Sequence, residues 1–573
     1  MEKRVLLAVV LSFLVIYGYQ SLFLKPGPRQ SARAPEPQQA GPAGATQAQA
    51  AAPQVIEKPS EETAAVPVSA EADVLVGDTV ERPVVVENDW IRAEFTNRGG
   101  VLRRWLLKRH RSGASGAEVN LTPSVIPAGS FAPFSLSTDD PAVTAALAGA
   151  LYKSSTLELH PAPGTGDALR FEYRLAAGLA AVKEFTFGPG PYEITLRAEV
   201  TQGDGQPLPL VVHSGAGLGD GDGAVTASRS FFSPNYQQPT EGIEYRDGKV
   251  QRHAAATLGQ QLPLQGRFAF VGMDDHYFLH ALVPGDETVT VHYSTVTVEN
   301  RATPLVDYAV QLPGSAAAHY FFGPKDFDLL QRAHPELVRV INFGMFDFIV
   351  VPLLKALKWV NGFVGNYGWS IIILTVLINL AMFPLRHKSV VSMRKMQEIQ
   401  PLVKGIQDRY AHLKTTDPER AKMNQELMSL YRERGVNPAS GCVPMLLTLP
   451  VLFAFYAMLS QAIELRGAPF VGWIRDLSTH DPYYVTPILM GITMVWQQKI
   501  TPSTADPVQQ KVMMFMPVMF TFMFLWAPSG LVIYWFVSNL WSIGQQYVTN
   551  ALIGPPKVPR PPAERRVRRP QEA

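Results

Sequence analysis

The sequence predicts a multi-domain membrane protein in which a large β-sandwich domain is followed by a bundle of transmembrane helices. Three observations carry this. The mean hydropathy of +0.03 over 573 residues averages two unlike parts, a polar one and one beyond about residue 340 that is dominated by long apolar runs. The polar part alternates apolar and polar residues, the pattern of strands with one buried face. The apolar part contains Trp369 to Leu385, WSIIILTVLINLAMFPL, long enough to cross a hydrocarbon core of about 30 Å. A single cysteine, Cys442, excludes an internal disulfide framework and a cysteine-rich metal centre. The net charge of +2 hides where the charges sit, and their placement sets the topology.

Residues 1–25 open with Lys3 and Arg4, continue through uncharged Val5 to Leu24 and close with Lys25. A signal peptide is one reading. The apolar run of 20 residues exceeds the roughly 7 to 15 of a signal sequence, and no small-residue cleavage site abuts it, which favours a retained transmembrane anchor with its N-terminus in the cytoplasm. Residues 26–81, rich in Pro, Ala, Gln and Gly, cannot bury enough apolar surface to offset the entropy of ordering and read as a disordered linker. Residues 82–330 carry the strand alternation, as in Ile91 to Phe95, Tyr192 to Val200 and Val289 to Val298. Within them Asp274, Asp275, His276 and His280 invite a metal-site reading, but on one strand the two histidines stand about 13 Å apart, too far for one ion. No metal and no cofactor are expected. The glycine-rich stretch Gly215 to Gly223 lacks the lysine and the strand-to-helix setting of a phosphate loop and reads as a flexible connection.

Residues 331–368 mix apolar positions with Asp347, Lys355 and Lys358, which suits an interfacial helix that bends at Pro352 before the bilayer. Residues 369–550 form a core of five spans, Trp369 to Leu385, Val443 to Ile463, Tyr484 to Trp496, Val512 to Trp526 and Leu531 to Tyr547. Residues 386–436 interrupt it with a helical hairpin: Met393, Met396, Ile399, Val403, Ile406 and Tyr410 mark one amphipathic helix, and a second starts at Asp417-Pro418 and ends at Gly435. The basic residues of the hairpin, Lys499 and Lys511 of a later loop, and the tail 551–573 assign all three to the cytoplasm, with both termini inside.

Asn379 sits near the middle of the first core span, and Thr375, four residues earlier, shares its face. Polar groups at that depth are costly and tend to face protein or water, although a single helix-to-helix hydrogen bond is the plain alternative. In the last span Tyr534, Ser538 and Gln545 share one face and Trp535, Asn539, Ser542 and Gln546 the neighbouring one, so that with Thr448 they can line a cavity. Two spans of 13 to 15 residues reach only about 20 to 23 Å, which predicts a thinned bilayer beside them.

The motifs NYGWSIIILTVLINLAMFPL, SGCVPMLLTLPVLFAFYAML, TPSTADPVQQKVMMFMPVMF and FLWAPSGLVIYWFVSNLWSIGQQ resemble those of the bacterial YidC membrane-protein insertases of the long Gram-negative type. The resemblance is close over about 340–550 and weaker over the β domain. It implies a periplasmic β-supersandwich of galactose-mutarotase-like type and a five-helix core in the inner membrane. It also implies a hydrophilic groove that receives nascent membrane proteins, alone or beside the Sec translocon, with no enzymatic chemistry. Thr375, Tyr534 and Trp535 match groove positions of the family; Thr448 stands where some relatives carry Gln. Asn379 departs from the arginine that the family usually places there, which leaves Arg386, His387 and Lys388 at the cytoplasmic mouth as the expected source of attraction for acidic substrates. The hairpin and basic tail are the expected contacts for the ribosome, through charge attraction to RNA phosphate. A carbohydrate-binding or carbohydrate-processing membrane protein and a transporter are the rival readings. The first needs a paired acid and base in a sandwich cleft, and the second needs two matching halves with broken spans; neither pattern is present in the sequence.

Overall fold

The computed structural model describes residues 74–553 apart from short internal stretches, the longest being 220–237, 413–418 and 437–442. The predicted anchor, most of the linker, the basic tail beyond Ile553, the Asp417-Pro418 cap and Cys442 lie outside the described residues.

From Pro83 to Pro324 the chain builds three sheets. In the largest, the strands Ala168–Leu175, Ala180–Phe187, Glu193–Gln202, Ala317–Pro324, Phe278–Val283, Phe270–Asp274, Glu241–Arg246 and Lys249–Ala254 lie side by side in that order. The period-two pattern explains why they do. Glu193–Gln202 buries Ile194, Leu196, Ala198 and Val200, while the antiparallel neighbour Ala180–Phe187 buries Ala181, Phe185 and Phe187. A second sheet is built on Thr288–Val296 and Leu305–Leu312, and a third on Ile91–Thr96 and Val101–Arg111. Their shared core is aromatic: Trp105 stacks on Phe322 at 5.2 Å, and His280 stacks on the other side of that cluster at 4.2 Å from Phe322. Lys183 enters this core with its ammonium donating to the carbonyls of Gly99 (2.7 Å), Gly100 (3.2 Å) and Phe134 (2.8 Å), and burial pushes its pKa down to about 7.

Two local readings of the sequence are corrected here. His276 does not share a strand with His280: it sits in a tight turn between Phe270–Asp274 and Phe278–Val283, closed by the Asp275 carboxylate accepting from the N–H groups of Tyr277 and Phe278, both at 2.7 Å. The described part of the glycine-rich stretch is packed rather than loose. Gly215 and Gly219 take positive φ values of 83° and 71°, and a Cβ on either would strike Pro133 or the Asn120 carbonyl.

The helical half follows Asp326, which caps α2 (Phe327–Ala333) by accepting from the N–H groups of Asp328 and Leu329. Next is α3 (Asp347–Val364), which runs on through Pro352 instead of breaking there, because Val350, Leu354, Leu357 and Val360 stay packed and outweigh one lost backbone bond. Gly365, at φ 68°, ends it, and Asn366 caps α4 (Tyr367–Arg409). At 43 residues, or about 65 Å, α4 carries the apolar run and the first arm of the expected hairpin as one helix through Pro384 and Pro401. By length and hydropathy it is able to cross a membrane. α5 (Arg420–Glu433) returns beside its distal end, where Glu426 accepts from Arg409 and Tyr410 at 2.8 Å each. The remaining helices are α6 (Val443–Gln461), α7 (Val485–Ile500), α8 (Pro507–Met523) and α9 (Ser529–Ile553). α7 and α8, of 16 and 17 residues, reach about 24 to 26 Å, less than a bilayer core. Leu377, Leu380, Ile488, Ile492, Phe515 and Val518 are exposed, an outer surface that suits lipid and not water.

The two halves meet through side chains. His276 Nε2 is 2.7 Å from the Ser460 carbonyl at the end of α6, and the Arg466 guanidinium lies 4.7 Å over the Phe278 ring. On the helical side Lys358 of α3 lies 3.0 Å from Asp326, 2.6 Å from Asp328 and 3.1 Å from Glu464, which follows α6.

Candidate functional site

The candidate site is a polar seam between α4 and α9. It starts where the sequence puts its first intramembrane hydroxyl: Thr375 donates to the Ile371 carbonyl at 2.6 Å, and one turn on the Asn379 amide donates to the Thr375 carbonyl at 2.8 Å. Both side chains are buried, on the face of α4 that packs against the protein. The carbonyl oxygen of the Asn379 side chain is thereby free to accept, and it accepts from Arg386 Nη1 at 2.9 Å. The same Nη1 donates to Ser542 Oγ of α9 at 3.3 Å.

Below this the seam continues. Gln545 Nε2 donates to the Phe383 carbonyl at 3.3 Å, His387 Nδ1 lies 3.2 Å from Thr549 Oγ1, and Arg394 donates to the Asn550 side chain. Gln545 is buried, and its Oε1 has no partner among the described residues. Above it Tyr534 stacks on Phe455 of α6 at 4.3 Å, with Ser538 one turn further along α9 beside the phenol. Trp535 turns the other way, onto Phe520 and Phe524. Asn539 faces α7, where it donates to the Met490 carbonyl and to Thr493. Thr448 is on α6, with its side chain outside the described residues.

Of the three basic residues expected at the mouth, the geometry separates Arg386 from the rest. Arg386 folds back into the seam, His387 bridges to α9, and Lys388 is exposed. A helical side chain leans toward the helix N-terminus, so the direction Arg386 takes is the one its backbone favours. Thr549 and Asn550 escaped the sequence reading, although they continue the polar recurrence of Ser538, Ser542, Gln545 and Gln546 along one helix.

The 60Kd inner membrane protein family matches residues 359–555, and the YidC periplasmic domain family matches residues 83–356. Over 578 residues the chain is 36% identical to the membrane protein insertase YidC of Geobacter metallireducens, spanning 96% of this chain and 99% of that protein. The chain belongs to the YidC membrane protein insertase family. The YidC of Geobacter sulfurreducens is 37% identical over 580 residues, again with 96% and 99% covered. A crystal structure of an active YidC insertase with its first transmembrane domain resolved is 18% identical, covers 83% of this chain and 95% of its own, and aligns with a TM-score of 0.33, too low to carry geometric weight. YidC membership makes this an inner-membrane protein with a periplasmic β-sheet domain ahead of a helical core, and it places the chain among insertases and not enzymes. The carbohydrate and transporter readings are not favoured.

Proposed function

We propose that this chain inserts inner-membrane proteins and assists their folding, alone for small substrates and beside the Sec translocon for larger ones. The observation that supports this most is the seam of Thr375, Asn379, Arg386, Ser542 and Gln545 inside an otherwise apolar bundle. Transfer of an apolar segment from water to lipid is favourable by itself, at about 0.8 kcal/mol per buried methylene, so the obstacle is the polar passenger that must cross. A seam that offers hydrogen-bond partners, next to the short helices α7 and α8, lowers that obstacle without covalent chemistry.

On this reading residues 1–25 are the anchor, 26–81 the tether, 82–330 a periplasmic supersandwich of galactose-mutarotase-like type, 331–368 the interfacial segment and 369–550 the five-span core. Both termini are cytoplasmic. The hairpin 386–436 and the basic tail 551–573 receive the ribosome, and Arg386, His387 and Lys388 draw acidic segments to the mouth. Thr375, Asn379, Thr448, Tyr534, Trp535, Ser538 and Gln545 line the substrate path. The deciding experiment is insertion of a small single-span substrate into liposomes holding the purified full-length chain, scored by protease protection against empty liposomes. Protection at the baseline of empty liposomes would sink the reading.

A further inference from the structure

Away from the seam, a cavity of about 520 Å³ opens where the edge of the large sheet meets the start of α3. The antiparallel strands Glu241–Arg246 and Lys249–Ala254 form one wall, and their pairing puts Tyr245, Val250 and Arg252 on the same face. The short 3-10 turn Pro335–Val340 adds Glu336 and Arg339, and the chain entering α3 adds Phe343 and Asp347. The volume is within the roughly 300 to 1,000 Å³ of small-molecule sites, and the lining mixes apolar walls with a few charges.

Those charges balance, two guanidiniums against two carboxylates. Arg339 Nε donates to Glu336 at 2.7 Å and its guanidinium lies 5.6 Å over the Tyr245 ring, while Arg252 Nη2 donates to Asp274 and to the Val340 carbonyl, both at 2.8 Å. Each guanidinium carries five N–H groups, more than these bonds use, and such forks suit phosphate oxygens. Asp347 accepts from the Phe348 N–H at 2.6 Å, and no cation is paired with it among the described residues. A ligand with phosphate and ammonium on one short spacer matches both signs. A purely anionic ligand would meet two carboxylates.

The depth of the cavity favours a lipid as the carrier of that headgroup. Phe346, just ahead of α3, stacks on Phe453 of α6 at 6.1 Å, and Lys358 further along α3 lies 3.1 Å from Glu464 beyond the end of α6. The two helices therefore run side by side in the same direction. Ser460, whose carbonyl meets His276 of the periplasmic domain, comes seven residues after Phe453, so the first turn of α3 stands about 10 Å down α6 from its periplasmic end. Met345 and Phe348 are 81% and 69% exposed beside the cavity, an apolar lip on which acyl chains can lie.

We propose that this cavity binds the headgroup of a phosphoethanolamine lipid from the periplasmic leaflet, with its phosphate on Arg339 and Arg252, its ammonium on Asp347 and its chains against Met345 and Phe348. The test is native mass spectrometry of the detergent-solubilised full-length chain, titrated with dioleoyl phosphatidylethanolamine, phosphatidylcholine or phosphatidylglycerol. Glycerophosphoethanolamine, the same headgroup without acyl chains, is the soluble control. The phosphatidylethanolamine adduct forms at a concentration about tenfold below that needed by the other two lipids, the worth of one charge-assisted hydrogen bond, and the soluble control gives none there. Arg339→Gln weakens that adduct to the level of phosphatidylcholine. Asp347→Asn removes the advantage over phosphatidylcholine, whose ammonium has no N–H to donate, and leaves phosphatidylcholine itself unchanged.

Asp347→Lys makes the lining positive and moves the preference to phosphatidylglycerol, a gain that a misfolded chain cannot show. Equal affinity of the native chain for the ethanolamine and choline lipids would overturn the proposal, as would variants that leave the preference unchanged or that lose all three lipids in parallel. Glycerophosphoethanolamine binding as tightly as the lipid would assign the cavity to a soluble phosphate ester and overturn it as well.

Discussion

Lys358 and Arg386 are both partly buried cations of the helical half, and they are satisfied in opposite ways. Lys358 has three carboxylates within 3.1 Å, whereas Arg386 has two neutral acceptors and an open edge. Burial works against the Lys358 ammonium, yet Glu464, Asp328 and Asp326 outweigh it and hold its pKa well above the lysine range. Burial likewise pushes the Glu464 carboxyl up, and Lys358 opposes that shift. The difference teaches what each is for. A saturated cation fixes its neighbours: Lys358 joins the start of α2, α3 and the segment that follows α6. An unsaturated cation leaves donors without a partner among the described residues. Lys183 is a third case, held by three backbone carbonyls and no acid described.

The sharpest way to break this contrast is Lys358→Met. It leaves three carboxylates facing one another, and the expected cost is about 3 kcal/mol, as when one partner of a buried pair is removed. Thermal unfolding of the solubilised chain measures it, and adding Glu464→Gln should recover part of the loss. Lys183→Met orphans three buried carbonyls and is expected to cost about 2 kcal/mol in the same assay. It carries a pH signature too. The folded pKa of about 7 lies below the ordinary 10.5, so between those values the unfolded chain binds a proton that the folded chain does not. Stability from this group therefore rises as pH increases from about 7 to 10.5, and a melting-temperature series in which Lys183→Met keeps the native slope would contradict it.

His276 provides a smaller test at the junction. Burial lowers its pKa from 6.5 to about 4, against the opposing Ser460 bond, so stability is lost as pH falls through that window. His276→Gln should flatten that loss in melts between pH 7 and pH 4.5. Smallest of all is Arg386→Gln, expected to shift stability by less than about 1 kcal/mol, since it loses two bonds to neutral acceptors but also removes a buried charge that has no described counter-ion. A loss as large as that of Lys358→Met would erase the contrast.

What the sequence discloses follows the range of the physics. Strand alternation is local, and Glu193–Gln202 buries the residues its pattern marks. Asp275 also announced its turn, since an aspartate that accepts from the N–H groups two and three residues on is a local event, and the neighbouring histidines drew attention away from it. The junction was not legible in this way. Lys358 lies 32 residues from Asp326 and 106 from Glu464, and nothing short-range links them. For the seam, periodicity found Thr375, Asn379 and Gln545, but the run Arg386-His387-Lys388 reads as one basic cluster until packing sends three side chains in three directions.

Pro384 stands between Asn379 and Arg386 on α4 and has no N–H to give the Leu380 carbonyl, one turn behind it. In vibrational terms that carbonyl is an oscillator relieved of its helical hydrogen bond, placed at the depth where amide and guanidinium meet. An isotope label on Leu380 would therefore move its infrared band out of the helix envelope. The band would then report on water: a shift toward the hydrogen-bonded position when the membrane is hydrated, and none when it is dry, would turn one missing proton on the backbone into a gauge of how far water reaches along the outward-facing side of α4.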